Sequence, residues 1–249
     1  MEILLAEPRG YCAGVVRAVD IVELALTKIG APIYVRHEII HNQFVVNELK
    51  QKGAIFVEEI EEIPNDSTVI FSAHGVSPEV WTDAKIKNLN IIDATCPLVT
   101  KVHLEAIKYA KDGYTILLVG HKGHDEVIGT MGEAPDHTIL VEDIDHVESI
   151  KVRNPEKVVA LTQTTLSISD TSDIINRLKQ KFPQLITRND ICYATTNRQN
   201  ALSSMTENVD LVLVVGAKNS SNSNRLRELA SENGIEAYLI NGPEDLDDS

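Results

Sequence analysis

The 249-residue chain contains no run of about 18 apolar residues, so no membrane-spanning helix is expected. Its opening, MEILLAEPRG, has neither the basic start nor the long apolar core of a secretory leader, and the expected location is the cytoplasm. Positive charge is in short supply. Lys and Arg number 23 against 37 Asp and Glu, a formal net charge of −14, with an acidic run from Glu58 to Asp66 and another in the closing PEDLDDS. That sign argues against a nucleic-acid partner. If the ligand is an anion, the field of the whole chain repels it, and recognition must come from a concentrated set of local donors. Aromatics make up only 4%, yet 43% of residues are hydrophobic, enough for a sizeable core and against disorder. Cysteine occurs three times. An odd number cannot all pair, and a reducing compartment disfavours disulfides, so three free thiols remain to be explained as inert packing or as ligands.

The three cysteines organise the chain. Cys12 opens CAGVVRAVDIVELALTKIG, in which Val15, Val19, Val22 and Leu26 recur at helical spacing before Gly30, and the strand-like PIYVRH follows. Cys96 opens PLVTKVHLEAIKYAKDG, with Leu98, Val102 and Ile107 as the expected inner stripe, then YTILLVG. Cys192 precedes YATTNRQNALSSMTENV and then DLVLVVG. The cysteines stand 84 and 96 residues apart. That period exceeds the 20–50 residues of a solenoid repeat, so three small α/β units around a common centre are expected.

A polar residue follows the first strand of each unit at a nearly constant offset: His41 is 29 residues after Cys12, His124 is 28 after Cys96, and Asn222 is 30 after Cys192. A second apolar run ends in another polar group, His74 in VIFSAHG and Thr164 in VVALTQTT. Ligands of open parallel sheets bind beyond the carboxyl ends of the strands, where these groups fall. A third such group would fall near positions 254–260, past the end of the chain, by the same repeat logic.

A thiol at a helix start feels the positive end of the helix dipole, which favours the thiolate that metals require. Three of them at matching positions point to a metal or cluster. There is no Cys-x-x-Cys pair, and zinc on three cysteines and a histidine stays open. Zinc brings no redox chemistry, whereas an iron–sulfur cubane with three cysteine ligands leaves one iron free to act on a substrate. One histidine alone is more often a satisfied core or cap residue, but His41, His74 and His124 at matched strand ends point to a common ligand. The stretch NSSNSN, with Ser220, Ser221 and Asn222, lies between DLVLVVG and the helix RLRELASE, where backbone amides and hydroxyls would cradle a phosphate. Asp125 and Glu126 in GHKGHDEVIG read as ordinary first-turn acids, or, for Glu126 beside Thr164, as a proton relay. The zinc-protease order His-Glu-x-x-His is absent.

The strings EPRGYCAGVVRAV, IIHNQFVV, FSAHGVSPEV, DATCPLVTKVH, GHKGHDEVIGT, TQTTLS, DICYATTNRQ and KNSSNSNRL together resemble the 4-hydroxy-3-methylbut-2-enyl diphosphate reductase family. Eight motifs in order along essentially the whole chain are far more specific than a lone glycine loop. The resemblance implies three similar α/β domains arranged pseudo-threefold around a central iron–sulfur site: an N-terminal strand and cluster loop over 1–13, then domains over 14–96, 97–191 and 192–249, the last incomplete. It implies a 4Fe-4S cluster on Cys12, Cys96 and Cys192, and diphosphate contacts at His41, His74, His124, Ser220, Ser221 and Asn222. Glu126 matches the proton donor, and Thr164 the threonine near the substrate hydroxyl. The implied reaction converts (E)-4-hydroxy-3-methylbut-2-enyl diphosphate to isopentenyl and dimethylallyl diphosphates, with ferredoxin or flavodoxin as electron donor.

The sequence departs from the family at its end. The family continues with a further strand and a Gly-Ala-Ser loop whose serine gives the diphosphate another donor. A hydrogen bond to a charged group is worth about 1.5–3 kcal/mol, so its loss is expected to weaken binding about tenfold to a hundredfold. The alternatives are a zinc- or anion-binding α/β module without redox activity, and a structural module without chemistry.

Overall fold

The structure is a computed structural model that describes residues 2–246. The first unit runs α1 (Ala13–Lys28), β1 (Ile33–Arg36), α2 (Gln43–Gln51), β2 (Ala54–Val57), β3 (Thr68–Phe71), α3 (Pro78–Ile86) and β4 (Asn90–Asp93). Its four strands are parallel, in the order β2-β1-β3-β4, with Val35 opposite Ile70. The second unit repeats the plan: α4 (Pro97–Lys111), β5 (Thr115–Val119), α5 (Asp125–Glu133), β6 (Thr138–Val141), α6 (Ile144–Ser149), β7 (Val158–Thr162), α7 (Ile168–Lys181) and β8 (Ile186–Thr187), again parallel, in the order β6-β5-β7-β8. The third contains α8 (Tyr193–Met205), β9 (Leu211–Val215), α9 (Ser221–Glu232) and β10 (Glu236–Ile240), the two strands parallel and paired with each other.

Short β-branched runs flanked by helices give parallel sheets because each crossover helix covers a sheet face, so the strands read as continuous apolar stretches. β7, Val158–Thr162, is buried at every position. On α1 the buried face is Ala18, Val22 and Ala25, packed with Ile33, Val35 and Ile70; Val15, Val19 and Leu26 lie at its margin. Each fully buried Val or Ile contributes roughly 1.5–3 kcal/mol, so these few positions suffice to seat the helix.

Two expectations need correction. The inner stripe of α4 is Val99, Val102, His103, Ala106 and Tyr109, while Leu98 is only half-buried and Ile107 is 43% exposed. Apolar residues occur almost all round this helix, so its periodicity did not single out a face. The strand expected within 1–13 is not formed over residues 2–12, which run irregularly with Ile3 and Leu5 exposed, no sheet edge pairing with them among the described residues.

In both four-stranded sheets the chain winds outward from the central strand and then returns to its other side. The crevices between β1 and β3, and between β5 and β7, are therefore topological switch points, where open α/β sheets bind ligands.

Candidate functional site

Both switch points open toward one cavity of about 720 Å³. His41 follows β1 and His74 follows β3; His124 follows β5 and Thr164 follows β7. Ser220, Ser221 and Asn222 follow β9. Every one of these residues lines the cavity, together with Glu126, Cys12, Cys96 and Cys192.

The cysteines are the residues immediately ahead of α1, α4 and α8. Cys12 Sγ accepts from Val15 N at 3.5 Å, and Cys192 Sγ from Thr195 N at 3.3 Å, so each thiol takes the role of a capping oxygen. Cys96 is followed by Pro97, which suits a first helical turn because its missing N–H would have no partner there. Burial pushes the Cys96 thiol up, and the neighbouring Cys12 and Cys192 add to the effect. A Cβ on Gly14 would stand 2.8 Å from Cys96 Sγ and 3.8 Å from Cys12 Sγ, so glycine leaves room between the two sulfurs. No disulfide joins the three. They are also not gathered tightly: among the described residues, the set of donor atoms lying mutually within 4.8 Å is that of His41, His74 and Asp125. A tetrahedral zinc with bonds near 2.3 Å would need sulfurs about 3.8 Å apart. As placed, the three thiols are therefore not a preformed single-zinc site.

The histidines form one group. The His41 and His74 rings stack at 4.2 Å between centroids, and the His124 ring stands nearly perpendicular at 5.8 and 5.9 Å. Burial, then the charge of His41, lowers His74 to about 3 and His124 to about 4. Near neutral pH both are uncharged in the free protein and can each present an N–H. His124 caps α5 by accepting from Glu126 N at 3.2 Å.

The Ser-Asn stretch is itself helical. α9 begins at Ser221, ahead of the expected RLRELASE, because Ser220 caps it by accepting from Ser223 N at 3.3 Å. Asn222 thus sits in the first turn, whose free N–H groups attract anions. Ser221 Oγ donates to Thr165 O at 3.2 Å and accepts from Gln163 Nε2 at 3.2 Å.

Glu126 is buried, and its two oxygens accept from Thr164 N at 2.7 Å and Thr164 Oγ1 at 3.0 Å. Burial pushes this carboxyl up to about 7, with Thr164 offsetting part of the shift. A group poised there can both hold and release a proton near neutral pH.

Several contributors lay outside the sequence reading. Asp125, read as an ordinary first-turn acid, takes 2.9 Å contact from His37 Nδ1 and lies 3.9 Å from His74 Nδ1. Burial would raise its carboxyl, but the His37 hydrogen bond and the surrounding histidines hold it down to about 2. His37 has φ +58°, a left-handed conformation uncommon outside glycine, and that unusual backbone is invisible in sequence. The fully buried Gln163, whose Oε1 accepts from His121 N at 3.1 Å, was likewise unmarked.

A family profile described as "LytB protein" matches residues 3–249. The chain belongs to the LytB family. Among LytB relatives, the 4-hydroxy-3-methylbut-2-enyl diphosphate reductase of Rhodopirellula baltica is 55% identical over 99% of this chain and 78% of its own length. The enzyme of the same name from Actinobacillus pleuropneumoniae serotype 7 is 57% identical over 100% of this chain and 81% of its own. The solved structure of the E-1-hydroxy-2-methyl-but-2-enyl-4-diphosphate reductase from Plasmodium falciparum superposes with a TM-score of 0.94 at 45% identity, covering 97% of this LytB chain and 76% of that one. No helix among the described residues is long and apolar enough to cross a membrane.

Proposed function

We propose that this LytB chain is an oxidoreductase that converts (E)-4-hydroxy-3-methylbut-2-enyl diphosphate to isopentenyl diphosphate and dimethylallyl diphosphate. The observation that carries the reading is the composition of one cavity: three unpaired thiols, three clustered histidines beside a helix start, and a buried carboxyl with a pKa of about 7. The family identity and the reductase relatives support the same reaction.

Cys12, Cys96 and Cys192 would hold a 4Fe-4S cluster, which when bound supplies the electrons and an open iron as Lewis acid. The chain's own residues do the rest. His41, His74, His124, Ser220, Ser221 and Asn222 bind the diphosphate and fix its position by hydrogen bonds to charged oxygens. Thr164 orients the substrate hydroxyl toward Glu126. Two electrons and two protons balance the step: the carbon–oxygen bond breaks, one proton leaves with the hydroxyl as water, and one adds to either end of the allylic unit, giving the two isomers. Glu126, with His124 capping its helix, is the proton source. The electron donor in this reading is ferredoxin or flavodoxin, and the location is cytoplasmic. The unit boundaries we propose, after an N-terminal segment over 1–13, are 14–96, 97–191 and 192–249, with Cys12, Cys96 and Cys192 within two residues of the three starts.

The test is anaerobic purification with iron, sulfide and product assays on the native sequence and on Cys12→Ser, Cys96→Ser and Cys192→Ser. A brown protein that forms both products and loses its cluster with each substitution is expected. A colourless protein without sulfide after reconstitution would overturn the reading.

A further inference from the structure

We infer that Arg17, Lys101 and Arg198 form a closed ring of clasps, each reaching from the helix behind one cysteine to the loop ahead of the next, so that the three thiols are held in register. The inference rests on the reading that the three cysteines bind one common group.

The ring follows from positions and contacts together. Arg17 lies five residues after Cys12, Lys101 five after Cys96, and Arg198 six after Cys192, so each cation rises from the second turn of α1, α4 or α8. Arg17 Nη1 donates to Ala94 O at 3.3 Å and to Thr95 O at 3.1 Å, on the two residues ahead of Cys96. Lys101 Nζ donates to Asp190 Oδ1 at 2.9 Å, two residues ahead of Cys192. Arg198 Nη2 donates to Gly10 O at 2.7 Å, two residues ahead of Cys12. Each clasp thus joins the helix behind one cysteine to the segment ahead of the next, and the third returns from α8 to the segment ahead of Cys12. Scattered surface cations would have no reason to select the second residue before a cysteine three times, nor to close a cycle.

The second link uses a side chain where the others use backbone carbonyls. Asp190 is fully buried at its carboxyl, and its other oxygen accepts from Thr162 N at 3.3 Å, so the end of β7 is drawn into the same clasp. The loops differ in their other ties. Cys96 N donates to Ala73 O and Cys192 N to Thr164 O, each at 3.0 Å, which anchors two of the loops to strand ends. The segment ahead of Cys12 belongs to no sheet among the described residues, and Arg198 ties it to the third unit. The third clasp should therefore matter most.

The test compares Arg17→Gln, Arg198→Gln and the double variant Lys101→Gln with Asp190→Asn, which leaves no unpaired buried carboxylate. Arg177→Gln, whose partner is Glu148 at the surface, serves as control. Two measurements separate the clasp from the cluster. Hydrogen exchange by mass spectrometry on the metal-free protein reads each loop: losing Arg17 should speed exchange around residues 94–96 only, losing the Lys101 pair around 190–192, and losing Arg198 around 10–15. Release of iron to a chelator from the reconstituted protein should be about 10- to 100-fold faster in each variant, the range found when groups supporting metal ligands are removed, and fastest for Arg198→Gln. Unchanged or uniformly raised exchange across all three loops would overturn the clasp, as would wild-type iron release. A wild-type protein that takes up no iron and sulfide would count against the proposed cofactor, while the exchange pattern would still decide the clasp.

Discussion

Glu126 is buried with Thr164 as its hydrogen-bonding partner, and its pKa of about 7 against the ordinary 4.5 has a consequence for stability as well as for proton transfer. Between those two values the folded chain holds a proton that the unfolded chain has lost, so this group's contribution is fully present below about pH 4.5 and is lost as pH rises through about 7. At full effect it is on the order of 3 kcal/mol. Glu126→Gln removes it. Urea denaturation of the metal-free protein should show the wild type losing stability relative to Glu126→Gln across that window, and a gap that stayed flat or shifted in the wild type's favour as pH rose would contradict the burial argument. The same variant should retain diphosphate binding while turnover falls by about 10²–10⁴. His74 and His124 carry the opposite shift. They are neutral in the free protein because burial opposes their charge, and an anion placed among them raises their pKa values again. Inorganic diphosphate should therefore bind with proton uptake, and more tightly at about pH 6 than at about pH 8. Calorimetry in buffers of differing ionisation enthalpy reads that uptake directly; a value of zero would mean that the histidines bind the anion wholly as neutral donors.

Among the elements, α5 carries Glu126 and packs against the first unit. Gly132 on its inner face meets Ser77 so closely that an added Cβ would press on the Ser77 side chain and lie 3.2 Å from its Cα. Gly129 one turn earlier lies against His103, which bonds Glu133 at 2.9 Å. Gly132→Ala should lower stability by about 1–3 kcal/mol, measured by chemical denaturation, because the helix must withdraw or strain. A neutral substitution would show that α5 can slide without cost. Elements were unequally legible before the structure was known. α1 was readable because its apolar residues keep one period and Gly30 stops it, whereas α4 is apolar on several sides and only packing against its neighbours chose Val99, Val102, Ala106 and Tyr109 as its core. The start of α9 was placed too late because a run of Ser and Asn resembles a loop until one of its members is found capping the next turn.

For the molecule as a whole, a net charge of −14 opposes the approach of a diphosphate, while the donors that hold it are short-ranged. Screening should weaken the repulsion more than the contact. The kcat/KM of the reconstituted enzyme should rise as ionic strength increases from about 0.01 M to about 0.15 M, and a fall over that range would show that local cations, Arg17, Lys101 and Arg198 among them, steer the substrate.

What could be read from the linear order of residues was whatever recurs at a regular interval. The three cysteines head three α/β segments, and His41, His124 and Asn222 stand at matched distances behind them, because helix and strand periods are local properties that leave their mark on residue type. Distances between units leave no such mark. That Asp125 reaches His37, that Glu126 is buried against Thr164, and that the three cysteines line one cavity depend on how the sheets turn their carboxyl ends toward it. The burial and partners that raise Glu126 and lower His74 are set by atoms distant in sequence, so packing alone decided the proton chemistry of the site.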